Sequence, residues 1–243
     1  MYVGYAIKSI RQYCVARGLS YLEHPLYKRT IVFRKTEKDP ERRLTQLHKE
    51  VTNLISVDNE AAYKLGKRAL KEAQDYYGVD NYKSAHFYHN LGLCAEYMGK
   101  IKEAGKWREL KVKYTCGKNS KSRAFYRIGA LSSLARHYEE FDQTNTAILG
   151  LRKRLLVLTE KRMGPHHLDT GCALQNLAYV YERKGENRKA IRYFERALAI
   201  FLESRGTKSF STNLVLKELV KLYRQQGFEE EAREYEKRIV TTD

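Results

Sequence analysis

The chain has 243 residues, of which 42% are hydrophobic and 31% are charged, and its formal net charge is +17. This apolar content is enough for a folded core, and no segment approaches the roughly 20 consecutive apolar residues that a membrane-spanning helix needs. The positive charge favours acidic partners and does not determine the fold. The four cysteines are widely separated, which excludes a CxxC site or a disulfide framework and indicates reduced thiols in the cytoplasm: Cys14, Cys94, Cys116 and Cys172.

Residues 1–39 do not share the pattern of the rest of the chain. Residues 1–22 contain Lys8, Arg11 and Arg17 but no acid, a composition that mitochondrial presequences also have. Apolar residues spaced along one helical face favour a different interpretation, a first helix that packs on the rest of the protein. The β-branched and charged residues that follow, up to Asp39, are typical of an irregular lead-in.

Two helical hairpins are predicted between residues 40 and 117. In the first, 40–79, apolar residues at helical spacing precede a second helix that ends near Gly78. In the second, 80–117, Gly99 is followed five residues later by Ala104, the spacing of a turn glycine and a small residue at a helix crossing.

Ten bases and two acids lie between Lys100 and Arg127. This concentration predicts a basic ridge around the boundary between the second and third hairpins. The bases are Lys100, Lys102, Lys106, Arg108, Lys111, Lys113, Lys118, Lys121, Arg123 and Arg127.

The third hairpin, 118–163, is a degenerate copy of the pattern. Asp142 stands where a turn glycine is expected, and Ala147 keeps the small-residue position. Its two helices are still predicted from their apolar spacing.

The fourth and fifth hairpins, 164–205 and 206–243, repeat each other at a spacing of 42 residues. In the fourth, Ala190 and Ala197 mark close helix approaches, and large apolar residues on both flanks predict a helix buried between two neighbours. The corresponding helix of the fifth hairpin has one apolar stripe, which is typical of the solvent-facing cap of a repeat array. The recurring positions are Gly164, Leu177, Tyr181, Gly185, Ala190 and Tyr193, followed by Gly206, Leu219, Tyr223, Gly227, Ala232 and Tyr235.

A fixed period of this length with helix-type apolar spacing predicts an all-α, right-handed solenoid of about five antiparallel hairpins. Such an array buries its core by stacking neighbours and presents a long concave surface.

Residues 164–198 resemble a tetratricopeptide repeat of the 42-residue variety found in kinesin light chains, without the coiled coil of that family. The resemblance implies that first helices line a concave groove that binds peptides. It rests on Gly164, Pro165, His167, Leu174, Gln175, Asn176, Leu177, Ala178, Tyr181, Gly185, Ala190, Arg196, Ala197 and Leu198.

By the same resemblance, an asparagine one residue before the central leucine bonds the main chain of the ligand. This identifies Asn90 and Asn176, whereas the other hairpins carry Ser133 and Glu218 at that position. The structural alternative is that both asparagines bond neighbouring helices, because asparagine is a poor residue in mid-helix and needs some such reason there.

Basic and aromatic residues are predicted on the same face of the first helix of each hairpin as these asparagines. They predict a groove that holds an acidic peptide segment of a partner protein, and the alternative is a solvated polar face. The residues are His89, Arg136, Gln175, Tyr179, Arg183, Lys217, Lys221 and Arg224.

Catalysis and cofactor binding find no support in the sequence, which has no phosphate-binding glycine loop, GxSxG or HExxH motif. His86 with His89, and His166 with His167, lack the convergent ligands of a zinc site. Asp169 and Thr170 better fit a helix-capping segment. The sequence therefore predicts a non-enzymatic adaptor, and the alternative is a basic protein that binds nucleic acid or an anionic surface.

Overall fold

A computed structural model describes residues 39–79, 81–116 and 124–239 of the chain. These residues form ten α-helices, a single 3-10 turn at Tyr82–Ser84 and no β-strand, so the predicted all-α class is confirmed. The predicted N-terminal helix and most of the lead-in lie outside the described residues. The helices are α1 (Pro40–Leu54), α2 (Asn59–Tyr77), α3 (Ala85–Tyr97), α4 (Ile101–Thr115), α5 (Ala124–Phe141), α6 (Ala147–Met163), α7 (Leu168–Arg183), α8 (Asn187–Arg205), α9 (Phe210–Gln225) and α10 (Glu229–Glu236).

Each odd-numbered helix packs on the helix that follows it, which gives five hairpins in the described part of the chain. The chain divides into two compact units, residues 1–118 and 119–243. The first unit contains α1 to α4 and the second contains α5 to α10. Within each unit, the second helix of one hairpin also packs on the first helix of the next, as in a repeat array.

The core of the first unit forms where α2 and α3 meet their neighbours. Ala62 and Ala69 of α2 have no exposed surface. The ring of Tyr88 stacks on Tyr114 at 5.4 Å and lies 6.2 Å from Trp107. Small residues thus let the helices approach, and aromatic rings fill the space beside them.

In the second unit the core is centred on α8. Ala190, Phe194, Ala197 and Phe201 are fully buried, and α8 packs on α7 and on α9. The predicted burial of this helix between two neighbours is confirmed. Gly171 of α7 lies so close to α8 that a Cβ atom there would come within 2.8 Å of Cε1 of Phe201.

The first helices of the fourth and fifth hairpins are each followed by a glycine in the left-handed backbone conformation. Gly185 has φ +72° and Gly227 has φ +80°, a conformation that glycine adopts without strain. In the third hairpin the carboxylate of Asp142 accepts hydrogen bonds from the side chains of Thr144 at 3.2 Å and Asn145 at 3.0 Å. A side-chain turn therefore replaces the glycine turn.

The start of α7 corrects the predicted capping segment. The N-cap is His167, whose Nδ1 accepts a hydrogen bond from the backbone N–H of Asp169 at 3.1 Å. Thr170 instead donates its hydroxyl to the carbonyl of Gly164 at 2.7 Å, a bond that Thr212 repeats 42 residues later. The histidine takes this role because its ring nitrogen can accept from the helix N-terminus.

Candidate functional site

The predicted groove residues lie on the first helices of the hairpins, in both units. In the first unit, Asn90 of α3 is only 3% exposed. Its Nδ2 lies 3.2 Å from Nδ1 of His48 and donates to the hydroxyl of Thr52, also at 3.2 Å, both on α1. The predicted clamp at Asn90 is therefore corrected: this amide joins two helices of the protein. His89 lies beside it, half-buried.

In the second unit, the first-helix face is the surface that α5, α7 and α9 share. Arg183 of α7 pairs with Glu139 of α5 at 3.4 Å. Lys221 of α9 pairs with Glu182 of α7 at 2.5 Å and with Glu218 of its own helix at 2.6 Å. These ion pairs form a ladder between consecutive first helices.

The ladder changes how the predicted basic groove must be interpreted. Burial opposes the charge of Lys221, but its bonds to Glu182 and Glu218 prevail and raise its pKa to about 12. Arg224 pairs with Glu236 at 2.7 Å and lies 3.8 Å from Glu229. Of the five predicted groove bases, three therefore have counter-ions already.

The other two bases, Arg136 and Lys217, are exposed. Within the part of the chain that the structure describes, neither makes an ion pair. Tyr179 is half-buried and its hydroxyl lies 3.5 Å from Glu218. Burial raises the pKa of Tyr179, and the charge of Glu218 adds to the rise.

Asn176 differs from Asn90 in every respect that matters for binding. It is half-exposed, and among the described residues its amide makes no hydrogen bond. It lines a pocket of about 170 Å³, beside Gln175, which is also half-exposed. The pocket walls come from α5, α6 and α7: Ile128, Ser132, Leu155, Thr159, Arg162, Met163, Asp169, Cys172 and Ala173.

This pocket is the feature that the sequence analysis missed. Its walls combine apolar and polar side chains from three helices, so no single stretch of sequence displays it. A cavity of about 150 Å³ holds a benzene ring when its walls are apolar, so this one has room for one side chain. The thiol of Cys172 is exposed at this pocket.

The predicted basic ridge is only partly described by the structure. Lys102, Lys106 and Lys113 are exposed on α4. Arg108 is 2% exposed and pairs with Glu96 at 2.5 Å, which corrects its placement on the ridge. Lys111 is half-buried. Lys118, Lys121 and Arg123 lie outside the described residues.

Other chemistry is sparse on the described surfaces. No three His, Cys, Asp or Glu side chains among residues 39–79, 81–116 and 124–239 lie close enough to hold a metal ion. Burial raises the pKa of the Cys94 thiol to about 11, which disfavours a reactive thiolate. None of the described helices is long and apolar enough to cross a membrane.

Comparison with known proteins points to one family of repeats. The tetratricopeptide repeat model matches residues 126–203, while no curated protein is significantly similar to the chain in sequence. Among solved structures, the nearly identical TPR-like repeats of a kinesin-light-chain-type protein from Podosopora anserina are 19% identical, with a TM-score of 0.65. That match covers 83% of this chain and 95% of the other.

Two further structures share the fold. BtubC (BKLC) from P. vanneervenii is 16% identical with a TM-score of 0.57, over 75% of this chain and 72% of the other. YrrB, described as a TPR protein with an unusual peptide-binding site, is 15% identical with a TM-score of 0.57. That match covers 86% of this chain and 89% of the other. The chain therefore contains tetratricopeptide repeats, at residues 126–203, and has the fold of kinesin-light-chain-like repeat proteins.

Proposed function

We propose that the chain is a non-enzymatic scaffold that binds an extended segment of a partner protein on the first-helix face of its second unit. The observation that carries this proposal is the half-exposed amide of Asn176 at the rim of a 170 Å³ pocket. An asparagine amide can donate to and accept from a peptide main chain at once. The pocket beside it offers space for one apolar side chain of the segment, which would supply most of the binding energy.

The proposal that the bound segment is acidic rests on two exposed bases of the face rather than on the net charge of the chain. Three groove bases are held in ion pairs, so they add little net positive potential to the face. Arg136 and Lys217 keep their charge available, and a carboxylate of the segment would pair with one of them. Pairs at such exposed positions contribute mainly to orientation and association rate.

The amide of Asn176 supplies the test. The probe is a set of peptides selected from a random displayed library for binding to the wild-type chain. Asn176→Ala should weaken their binding roughly 5- to 100-fold, because a main-chain hydrogen bond is lost at a partly buried site. Binding is measured by fluorescence anisotropy, and the melting temperature should stay constant because the amide has no bond within the described residues.

Asn53→Ala is the matched control, since Asn53 is an exposed asparagine on α1 and should leave binding unchanged. Peptides that bind Asn176→Ala as tightly as the wild type would contradict the proposal. Binding that ignores Asn176, falls steeply with salt and disappears when Lys102, Lys106 and Lys113 are reversed to Glu would favour a nucleic-acid or anionic-surface ligand instead.

A further inference from the structure

A second cavity lies in the second unit, where the turn between α5 and α6 faces the end of α7. Its volume is about 340 Å³, against about 170 Å³ for the pocket beside Asn176. Ile148 and Leu149 of α6 and Val180 of α7 give it an apolar side. The rest of the described lining is polar and contains no carboxylate. We call it the turn cavity.

The polar side of the turn cavity carries hydrogen-bond donors that the protein does not use. Gln143 and Thr146 are exposed, and neither side chain makes a hydrogen bond within the residues that the structure describes. Thr146 is the N-cap of α6, yet its hydroxyl does not cap the helix. Lys184 is exposed and forms no ion pair in the described part of the chain, since the neighbouring Glu186 pairs with Lys189 at 2.5 Å. A ligand group that accepts hydrogen bonds and carries negative charge suits this side of the cavity.

Arg183 adds a positive charge to the turn cavity that is only partly balanced. It lies 3.4 Å from Glu139, but Arg152 holds the same carboxylate through both oxygens, with Nε donating at 2.8 Å and Nη2 donating to the second oxygen. Two guanidinium groups thus share one carboxylate, and one positive charge is left over. The opposing charge in the turn is Asp142, which does not line the cavity and whose oxygens already accept from side chains of the turn.

The turn cavity and the pocket beside Asn176 lie along the same helices. Both are lined by residues of α6 and α7. Asn176 and Arg183 are seven residues apart on α7, which places them on one face of the helix and separates them by about 10 Å. An extended peptide covers that distance in about three residues. One bound segment can therefore reach both sites.

We propose that the turn cavity binds a carboxylate or phosphate side chain of the same segment whose apolar side chain enters the pocket beside Asn176. This inference rests on the proposed function and adds a requirement on the segment: the anionic residue lies about three residues from the apolar one. Lys184 and Arg183 supply the positive charge, while Thr146 and Gln143 supply neutral donors. The apolar side of the cavity packs on the stem of the anionic side chain.

The probes are the peptides selected from the displayed library for binding to the wild-type chain. They should share an Asp or Glu about three residues from an apolar residue. In one such peptide this acid is replaced by glutamine or by phosphoserine, and fluorescence anisotropy measures binding at constant ionic strength, so that screening does not change. Glutamine should weaken binding about three- to tenfold, because the charge-assisted hydrogen bonds are lost. Tighter binding of the phosphoserine peptide identifies a phosphate site, and tighter binding of the original peptide identifies a carboxylate site.

Lys184→Gln and Lys208→Gln provide the matched pair. Both remove one exposed lysine charge from the second unit, and Lys208 does not line the turn cavity. Lys184→Gln should weaken the acidic peptide about threefold and leave the glutamine peptide nearly unchanged, since the lost interaction is with the acid. Lys208→Gln should leave the binding of both peptides nearly unchanged. Equal effects of the two variants would overturn the inference, because they would reflect only the large net charge of the protein.

Asn176→Ala separates a failure of this inference from a failure of the proposed function. If Asn176→Ala weakens binding while the glutamine peptide binds as tightly as the acidic one, the segment uses the pocket but not the turn cavity, and only this inference falls. If Asn176→Ala has no effect, the proposed function falls and this inference with it. Selected peptides that carry no acid at the stated spacing would also overturn the inference.

Discussion

Gly171 of α7 lies against side chains of α8. Because a Cβ atom there would fall 2.8 Å from Phe201 and 3.1 Å from Ile200, Gly171→Ala must displace buried side chains. We expect it to lower the free energy of unfolding by on the order of 1–3 kcal/mol. Chemical denaturation followed by circular dichroism measures this change.

Gly150 on α6 is the control for that substitution, since nothing lies within 4 Å of a Cβ atom built there. Gly150→Ala should stabilise the protein by about 0.5–1 kcal/mol, because alanine loses less backbone entropy in a helix. An equal destabilisation by both variants would show that the α7–α8 contact is not the cause of the effect of Gly171→Ala.

Lys111 is predicted to reduce stability at neutral pH. Its pKa falls from 10.5 to about 8 in the folded chain, so below pH 8 the folded state holds a charge that burial disfavours. Lys111→Gln should therefore raise the unfolding free energy at pH 7 by on the order of 1 kcal/mol. Between pH 8 and 10.5 the unfolded state binds more protons than the folded state, so the wild type gains stability with rising pH and the difference shrinks. A difference that stays constant up to pH 10.5 would argue against a lowered pKa.

Asn90 and Asn176 show how far the sequence could lead at the level of single residues. Both occupy the same repeat position, and the sequence correctly indicates that each needs a reason to be there. Their environments differ because of the neighbouring helices. The side chains of His48 and Thr52 bond Asn90, while Asn176 lines a pocket. Three-dimensional neighbours decide between two roles that the repeat pattern leaves equal.

Helix α8 provides a prediction at the level of secondary structure. Ala190 has no exposed surface, whereas Ala199 on the same helix is exposed. Ala190→Leu should overpack the contact between helices and cost on the order of 1–3 kcal/mol, and Ala199→Leu should have little effect. Thermal unfolding of the two variants measures the contrast, and equal melting temperatures would show that α8 is not closely packed at Ala190.

The helices themselves could be predicted because glycine turns and small residues recur at a fixed spacing. The ion-pair ladder could not, since its partners are 39 residues apart for Glu182 and Lys221 and 44 apart for Glu139 and Arg183. These separations depend on the length of each turn and on the phase at which neighbouring helices pack. Acids about one repeat before a groove base are candidates for such pairs, and the packing of the helices decides which of them pair.

The repeat architecture predicts the result of removing the last hairpin. Val215, Leu216 and Leu219 of α9 belong to the same buried cluster as Phe194 and Phe201 of α8. A fragment of residues 1–205 therefore exposes a large apolar surface and should aggregate. Size-exclusion chromatography with light scattering tests this, with residues 1–239, which keep α10, as the control. A soluble, monomeric and folded 1–205 fragment would contradict the prediction.

The packing order of the helices also has a mechanical consequence. Within the described part of each unit, the main contacts join helices that are neighbours along the chain, and no pair of distant helices packs as extensively. Stretched from its ends, such a unit should lengthen one hairpin at a time, with a series of small force steps in place of a single rupture. A peptide lying across α5, α7 and α9 would fasten successive hairpins to one another, and single-molecule pulling would register it as a higher force for those steps.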